Sequence, residues 1–369
     1  MSWALTFVGI ILLIVLHELG HFAVAKWVGM RVERFSLFFP PRLFGVKRGE
    51  TDYCVGLIPA GGYVKITGMN PDEIKDLEPE VAKRAYYAQA PWRRIVVILA
   101  GPGMNLLIAL FLFWVVLVSG DASGAKTLEN LNPSVQTVRP VTTVEAIEKG
   151  TPAASALRLG DRIIAVNGAP ATVNTVERAV KGDRCAGELA DGCGGAAPLR
   201  ITLRRDGQTV TVVTHPRYNA EDKRMRIGFA FGVTPKAYGP LAAVGMAGRE
   251  MAQTASTLVT NLGHAFTSAK ARHEISSIVG ITEVTQEAVT RGWAYAFVVL
   301  GLVSLALAVI NMFPFLPLDG GHVLWALAEK VRGRRVSINA MWRFSSVGIV
   351  LLLFLVFNGF YNDLSRLGA

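Results

Sequence analysis

His17-Glu18-Leu19-Gly20-His21 is the stretch of this sequence best equipped for chemistry. Histidines at i and i+4 share one face of a helix, where two neutral imidazoles can grip one metal ion. Glu18 stands beside that face and is placed to take a proton from an attacking water. The pentapeptide lies inside an apolar segment, Trp3 to Val28. Ionisable side chains at membrane depth are costly and are read first as functional. A soluble core helix with satisfied histidines is the plainer reading, but the flanks Leu5-Leu16 and Phe22-Val28 are too apolar for it.

Two histidines leave a metal ion short of ligands. The third apolar segment ends in Asn311-Met312-Phe313-Pro314-Phe315-Leu316-Pro317-Leu318-Asp319-Gly320-Gly321-His322. Pro314 and Pro317 break a helix, and irregular backbone at membrane depth is tolerated only inside protein or beside a cavity. Asp319 would be an unpaired acid there, a penalty that metal ligation removes. His17, His21 and Asp319 make three zinc ligands and leave the fourth position of a catalytic site open. His322 is a rival third ligand. Asn105, in Gly101-Pro102-Gly103-Met104-Asn105, is a further polar group inside an apolar segment. A direct role in the site and a role as interhelical glue both stay open for it.

The chain has 369 residues, 51% of them hydrophobic, too apolar for an ordinary soluble protein. The expected class is a polytopic α-helical membrane protein with about four transmembrane helices, a membrane-associated β-hairpin region and one inserted extracytoplasmic α+β domain. The segments are a first span at 1–28, a β region and linker at 29–91, a second span at 92–119, the inserted domain at 133–233, an amphipathic helical linker at 234–292, a third span at 293–322 and a fourth at 341–361. No basic residue precedes the first span and no small-x-small site follows it, so it reads as a retained span, not a removable signal.

The net charge of +10 is concentrated after the first span, before the second, and between the third and fourth. The positive-inside rule then puts residues 29–91 and 326–342 in the cytoplasm and 120–292 outside. The charge thus reads as topology and contact with anionic lipid, and no interleaved aromatic-basic platform suggests nucleic-acid binding. Leu19 lies about sixteen residues from Trp3, or roughly 24 Å at 1.5 Å per residue. That depth is in the inner half of a hydrocarbon core about 30 Å thick.

Val32-Phe39 and Tyr53-Ile66 read as strands broken by turn signals, and Leu57-Tyr63 is apolar enough to dip into the inner leaflet. A surface hairpin is the alternative. Residues 72–91 read as a charged helical stretch, 240–275 as a weakly amphipathic helix on the outer surface, and Ser276-Ile281 as a β-rich patch. His264 and the His273-Glu274 pair read as unrelated to metal. Gly150-Thr151-Pro152, then Leu159-Gly160-Asp161-Arg162-Ile163-Ile164-Ala165-Val166-Asn167-Gly168, and the alternating runs Leu199-Arg205 and Gln208-Thr214 resemble a PDZ domain of the bacterial, circularly permuted kind. Arg200, Arg204 and Arg205 read as a solvated strand face. Cys185 and Cys193 share a short glycine-rich loop on the oxidising side and form a candidate disulfide.

Taken together, these motifs resemble the site-2 proteases, the intramembrane zinc metalloproteases, and within them the bacterial regulator-of-sigma-E protease group. The resemblance rests on H-E-L-G-H, on Ile58-Pro59-Ala60-Gly61-Gly62-Tyr63-Val64-Lys65, on G-P-x-x-N, on one PDZ-like run, and on Asn311-x-x-Pro314 with Leu318-Asp319-Gly320-Gly321. It implies one catalytic zinc on His17, His21 and Asp319, with Glu18 as general base. It implies substrate contacts at Asn311, Pro314, Asn105, Gly61, Gly62 and Tyr63, the hairpin offering an edge to an unwound substrate strand. It also implies cleavage within single-span transmembrane proteins, such as anti-sigma factors already trimmed outside, or remnant signal peptides, in a bacterial cytoplasmic membrane. The active site would face the cytoplasmic leaflet, and a monomer is expected. Pro317 stands one place later than in the commonest bacterial form, Ile278 replaces a common proline, and one PDZ-like domain stands where some members have two. A PDZ scaffold without catalysis would need neither Glu18 nor Asp319. A helix binder with structural zinc would want a fourth protein ligand, which the sequence does not offer.

Overall fold

A computed structural model describes residues 2–131, 138–265, 267–268 and 278–367. The chain divides into two compact units, one made of Met1–Val135 with Tyr238–Ala369 and the other of Gln136–Ala237. The expected inserted domain, 133–233, thus starts and ends within a few residues of the second unit.

The first unit begins with α1 (Ser2–Trp27), followed by β1 (Val32–Arg48) and β2 (Thr51–Ile66). The strands turn through Gly49, at φ 62°, where a residue without Cβ is favoured. Residues 44–48 pair with 55–51 through that turn, residues 34–37 lie beside both 52–55 and 65–62, and 62–66 is the outermost run. Next comes α2 (Pro79–Ala82), a single turn flanked by two 3-10 turns, Pro71–Asp76 and Tyr86–Ala88. The continuous helix expected over 72–91 is therefore absent. Pro71, Pro79 and Pro91 divide the stretch, and the amides of Tyr86 and Tyr87 bond to Thr67 and Gly68 at the end of β2.

α3 (Pro91–Ser119) starts on proline and ends at Gly120, in the left-handed region at φ 63°. α4 (Ala122–Leu131) follows, and the second unit comes next in sequence. After it, α7 (Pro240–Ala265) packs Ala243 and Ala247 against Phe113, Val116, Leu117 and Val298. Its spaced alanines permit that close approach, so one face of the helix is buried in the unit while the rest is exposed.

α8 (Ile278–Arg291) overturns the β reading of residues 278–281, while residues 276–277 and the His273-Glu274 pair lie outside the described residues. The amide of Gly280, in its first turn, donates to the Asp363 carboxylate at 3.0 Å. That contact satisfies a helix-start donor, and the helix wins over the β propensity of the isoleucine-rich patch. α9 (Trp293–Asn311), α10 (Asp319–Arg332) and α11 (Ile338–Leu367) complete the unit. The third span predicted at 293–322 is thus a helix to Asn311, an irregular loop, and a new helix from Asp319. Among the described residues, four helices are long and apolar enough to cross a membrane: Trp3–Trp27, Pro91–Ser119, Trp293–Asn311 and Asn339–Ser365.

The second unit holds β3 (Val138–Ile147), α5 (Pro152–Ala156), β4 (Arg162–Val166), β5 (Ala169–Pro170), α6 (Val173–Lys181), β6 (Leu199–Arg205), β7 (Gln208–Thr214), β8 (Arg217–Asn219), β9 (Arg224–Arg226) and β10 (Phe229–Pro235). The main sheet has the order β10-β3-β4-β6-β7, with β5 on β4. Asn167-Gly168 and Asp206-Gly207 make its tight turns with all four residues at positive φ, as two-residue hairpins demand. Val144, Ile163, Val176, Leu199, Ile201 and Leu203 fill the core. Arg205, expected to be solvated, instead makes a bidentate pair with buried Asp161 at 2.9 and 2.6 Å. The pair ties the end of β6 to the turn before β4, 44 residues away.

Candidate active site

The site is assembled where α1, α3 and the start of α10 meet. His17 and His21 sit one turn apart on α1, 8% and 7% exposed. Gly20 lets α1 lie against α3, since a Cβ there would strike the carbonyl of Ala100. Gly101 makes room for the ring of His21, which fills the space a Cβ would need. Asp319 arrives on the first turn of α10. Gly320 and Gly321 are required there because the loop backbone from Met312 to Leu316 folds back against that turn, leaving no room for side chains.

His17 Nε2 and His21 Nε2 are each 3.3 Å from Asp319 Oδ2 and 3.3 Å from one another. The edge of a tetrahedron with metal–ligand bonds of about 2.0 Å is about 3.3 Å, so the triangle fits zinc. Asp319 Oδ2 is buried without a hydrogen-bond partner, an orphaned acceptor that a cation would satisfy. Among the described residues this is the one cluster of three or more His, Cys, Asp or Glu side chains that converges in this way. His322 stays outside it. Its ring faces Tyr86 at 6.3 Å, and it lines a cavity of about 200 Å³ with Tyr87, Arg94 and Trp325.

The outer ring nitrogens are also held. His21 Nδ1 bonds to the carbonyl of Val97 at 2.9 Å, and His17 Nδ1 lies 3.1 Å from the Asn105 amide nitrogen. Asn105 is fully buried, and Ser304 Oγ donates to its backbone carbonyl at 2.9 Å, linking α9 to α3. Such outer partners orient a ligating imidazole. Asn105 thus sits behind the ring of His17.

Glu18 is half-buried beside the triangle. The outermost run of β2 covers it: the Val64 backbone faces its carboxylate, and a Cβ on Gly62 would lie 3.1 Å from Glu18 Cγ. Gly61, at φ 148°, abuts the Phe39 ring, and the Tyr63 hydroxyl accepts from Arg34 at 3.1 Å. Asn311 is the last residue of α9 and Pro314 is exposed in the loop after it.

The profile of peptidase family M50 matches residues 5–355. The chain belongs to peptidase family M50. It is 30% identical to zinc metalloprotease Rip1 of Mycobacterium tuberculosis over 361 residues, covering 88% of this chain and 84% of that one. It is 27% identical to protease RseP of Yersinia pestis over 451 residues, covering 99% of each. As an M50 member, a site-2 protease, the chain is a membrane-embedded zinc metalloendopeptidase. Zinc is its cofactor.

Sequence reading missed several parts of this M50 site. Val97 acts through its backbone, which no residue type announces. Ser304 looks like one more small residue in an apolar helix. Gly101 belonged to a recognised motif, but only the packed helices reveal that its missing Cβ makes space for His21.

Proposed function

We propose that this protein cuts peptide bonds within transmembrane segments of single-span membrane proteins, with one zinc held by His17, His21 and Asp319. The observation that carries the reading is the 3.3 Å triangle of His17 Nε2, His21 Nε2 and Asp319 Oδ2, with Glu18 beside it. Zinc, when bound, supplies the Lewis acidity that polarises the scissile carbonyl and acidifies the attacking water. Glu18 takes the proton from that water and passes it to the leaving amine. The outermost run of β2, with Gly62 against Glu18 Cγ, keeps the Glu18 side chain beside the triangle for this transfer.

A substrate helix must unwind first, because its carbonyls are otherwise bonded within the helix. The run 62–66 lies at the edge of its sheet, and pairing with that edge replaces the lost backbone bonds. Asn311 and Pro314, where α9 ends, border the same substrate path and orient the carbonyl. The basic residues of 29–91 and 326–342 favour a cytoplasmic placement of those segments, which sets the site toward the inner leaflet of a bacterial cytoplasmic membrane. Anti-sigma-factor-like proteins, already trimmed outside, and remnant signal peptides are the substrate classes.

The Gln136–Ala237 unit acts as an extracytoplasmic PDZ domain that holds a chain end or excludes untrimmed ectodomains. A cleft of about 290 Å³ between α6 and edge strand β10 supports this, because PDZ domains take a peptide as an added strand. Cys185 and Cys193, with Cα atoms 5.8 Å apart, form a disulfide in that unit.

The test is Glu18→Gln. Cleavage of a reporter membrane helix is lost while zinc is retained, and turnover at the wild-type rate with zinc still bound would sink the assignment. Asp319→Asn lowers the zinc content; unchanged zinc would shift the third ligand elsewhere.

A further inference from the structure

We propose that Asn105 is a positioning residue that locks His17 in its Nδ1–H tautomer by accepting that proton through Oδ1. The proposal rests on His17 being a zinc ligand. The two histidines differ in what stands behind them. Behind His21 is the carbonyl of Val97, 2.9 Å from Nδ1. A carbonyl can only accept, so the proton of His21 is on Nδ1 and its Nε2 lone pair points into the triangle. Behind His17 is a primary amide, which can either donate or accept.

With the amide nitrogen facing His17 Nδ1 at 3.1 Å, the amide donates and the ring proton is forced onto Nε2. That Nε2 points at Asp319 Oδ2 and His21 Nε2, both 3.3 Å away, and a proton there blocks ligation. The two ends of an amide are told apart only by their hydrogen-bond network. Turning the amide by half a rotation gives Oδ1 the Nδ1 proton of His17 and frees the Nε2 lone pair. Both histidines then present matching tautomers, one held by a main-chain acceptor and one by a side-chain acceptor.

The backbone of Asn105 is anchored separately by Ser304, so the side chain is available for this task. Second-shell partners of ligating histidines typically carry 10–100-fold in metal affinity. Asn105→Ala removes the acceptor and lowers zinc affinity by about that factor, whereas Asn105→Asp keeps an acceptor and stays within about threefold of wild type or binds more tightly.

The decisive experiment uses the full-length zinc-loaded protein in detergent with 15N-labelled histidine, alongside zinc competition titrations of the two variants. His17 is expected to show a one-bond 1H–15N coupling at Nδ1 and a metal-shifted Nε2. An unprotonated Nδ1 on a zinc-shifted ring overturns the proposal, even if neither variant folds. So does Asn105→Ala with wild-type zinc affinity, or Asn105→Asp as weak as Asn105→Ala. If neither His17 nitrogen responds to zinc removal, the ligand assignment itself fails, and that outcome is distinct.

Discussion

A Cβ built on Gly101 would lie 2.2 Å from His21 Nε2, far closer than any real contact. The helix that flanks the His17–His21–Asp319 triangle is therefore shaped around one of its three side chains. Gly101→Ala should strengthen an isolated helix by about 1 kcal/mol on propensity alone. In this protein it displaces His21 from Asp319, so zinc content and cleavage should fall together despite the better helix former. Metal analysis of purified protein reads this directly. Normal zinc in Gly101→Ala would mean that α1 and α3 can part without disturbing the site.

Arg94 extends the role of α3. It is 2% exposed, 2.5 Å from Glu329 on α10, and lies over the rings of Tyr86 and Tyr87 at 5.9 and 5.0 Å. Removing one partner of a buried pair costs about 3–5 kcal/mol when the other charge is left alone, and less here because Arg335 Nε stays 3.9 Å from Glu329. Arg94→Met should accordingly lower the thermal midpoint sharply, and Arg94→Met with Glu329→Met should recover much of it. A double variant no better than the single one would show that the pair is not coupled.

How much was legible follows from how far each signal reaches along the chain. The spacing of His17 and His21 is a helix-turn signal, and Asp319 stands out as an acid beside two prolines and two glycines. The hairpin glycines and the Asn167-Gly168 turn are also local. Arg94 and Glu329 meet across 235 residues, and no local pattern marks either as paired. Arg205 reads as a solvated strand residue until β6 is placed beside the turn carrying Asp161. Ile278-Val279-Gly280-Ile281 favours a strand by composition and becomes helical because a carboxylate from α11 meets its first turn.

Arg205 gives the second unit an acid-sensitive joint. Burial pushes the Asp161 carboxyl up, but the Arg205 guanidinium and the Arg158 amide outweigh it and hold the group below the usual carboxylate range. A depressed folded-state pKa adds stability that is complete above the unfolded value of about 3.9. It is lost as pH falls through the folded value. Wild-type stability should therefore drop below about pH 4. Arg205→Ala leaves the charge buried and costs about 3 kcal/mol near neutrality. Its pH dependence should reverse, because protonating the stranded acid then relieves the penalty. Thermal unfolding followed from pH 7 downward separates the two; parallel curves would refute the joint.

Gly62 offers the sharpest separation of metal binding from catalysis. Its missing Cβ lies 3.1 Å from Glu18 Cγ and 3.1 Å from the Ser36 carbonyl, so the outermost run of β2 is pinned between Glu18 and its own neighbouring strand. Gly62→Ala must move one of them. The Ser36 carbonyl belongs to the sheet ladder, where residue 36 lies beside both 63 and 54, and it yields less readily than a side chain. Glu18 should therefore shift, moving its carboxylate away from its place beside the triangle. His17, His21 and Asp319 do not contact residue 62 in this way, so zinc should stay bound. The expected result is a fall in kcat of roughly tenfold or more, up to the 10²–10⁴ that a positioned base typically contributes, at unchanged zinc stoichiometry. Loss of zinc in Gly62→Ala would instead tie the hairpin to the metal triangle itself, and full activity would free Glu18 from any dependence on β2.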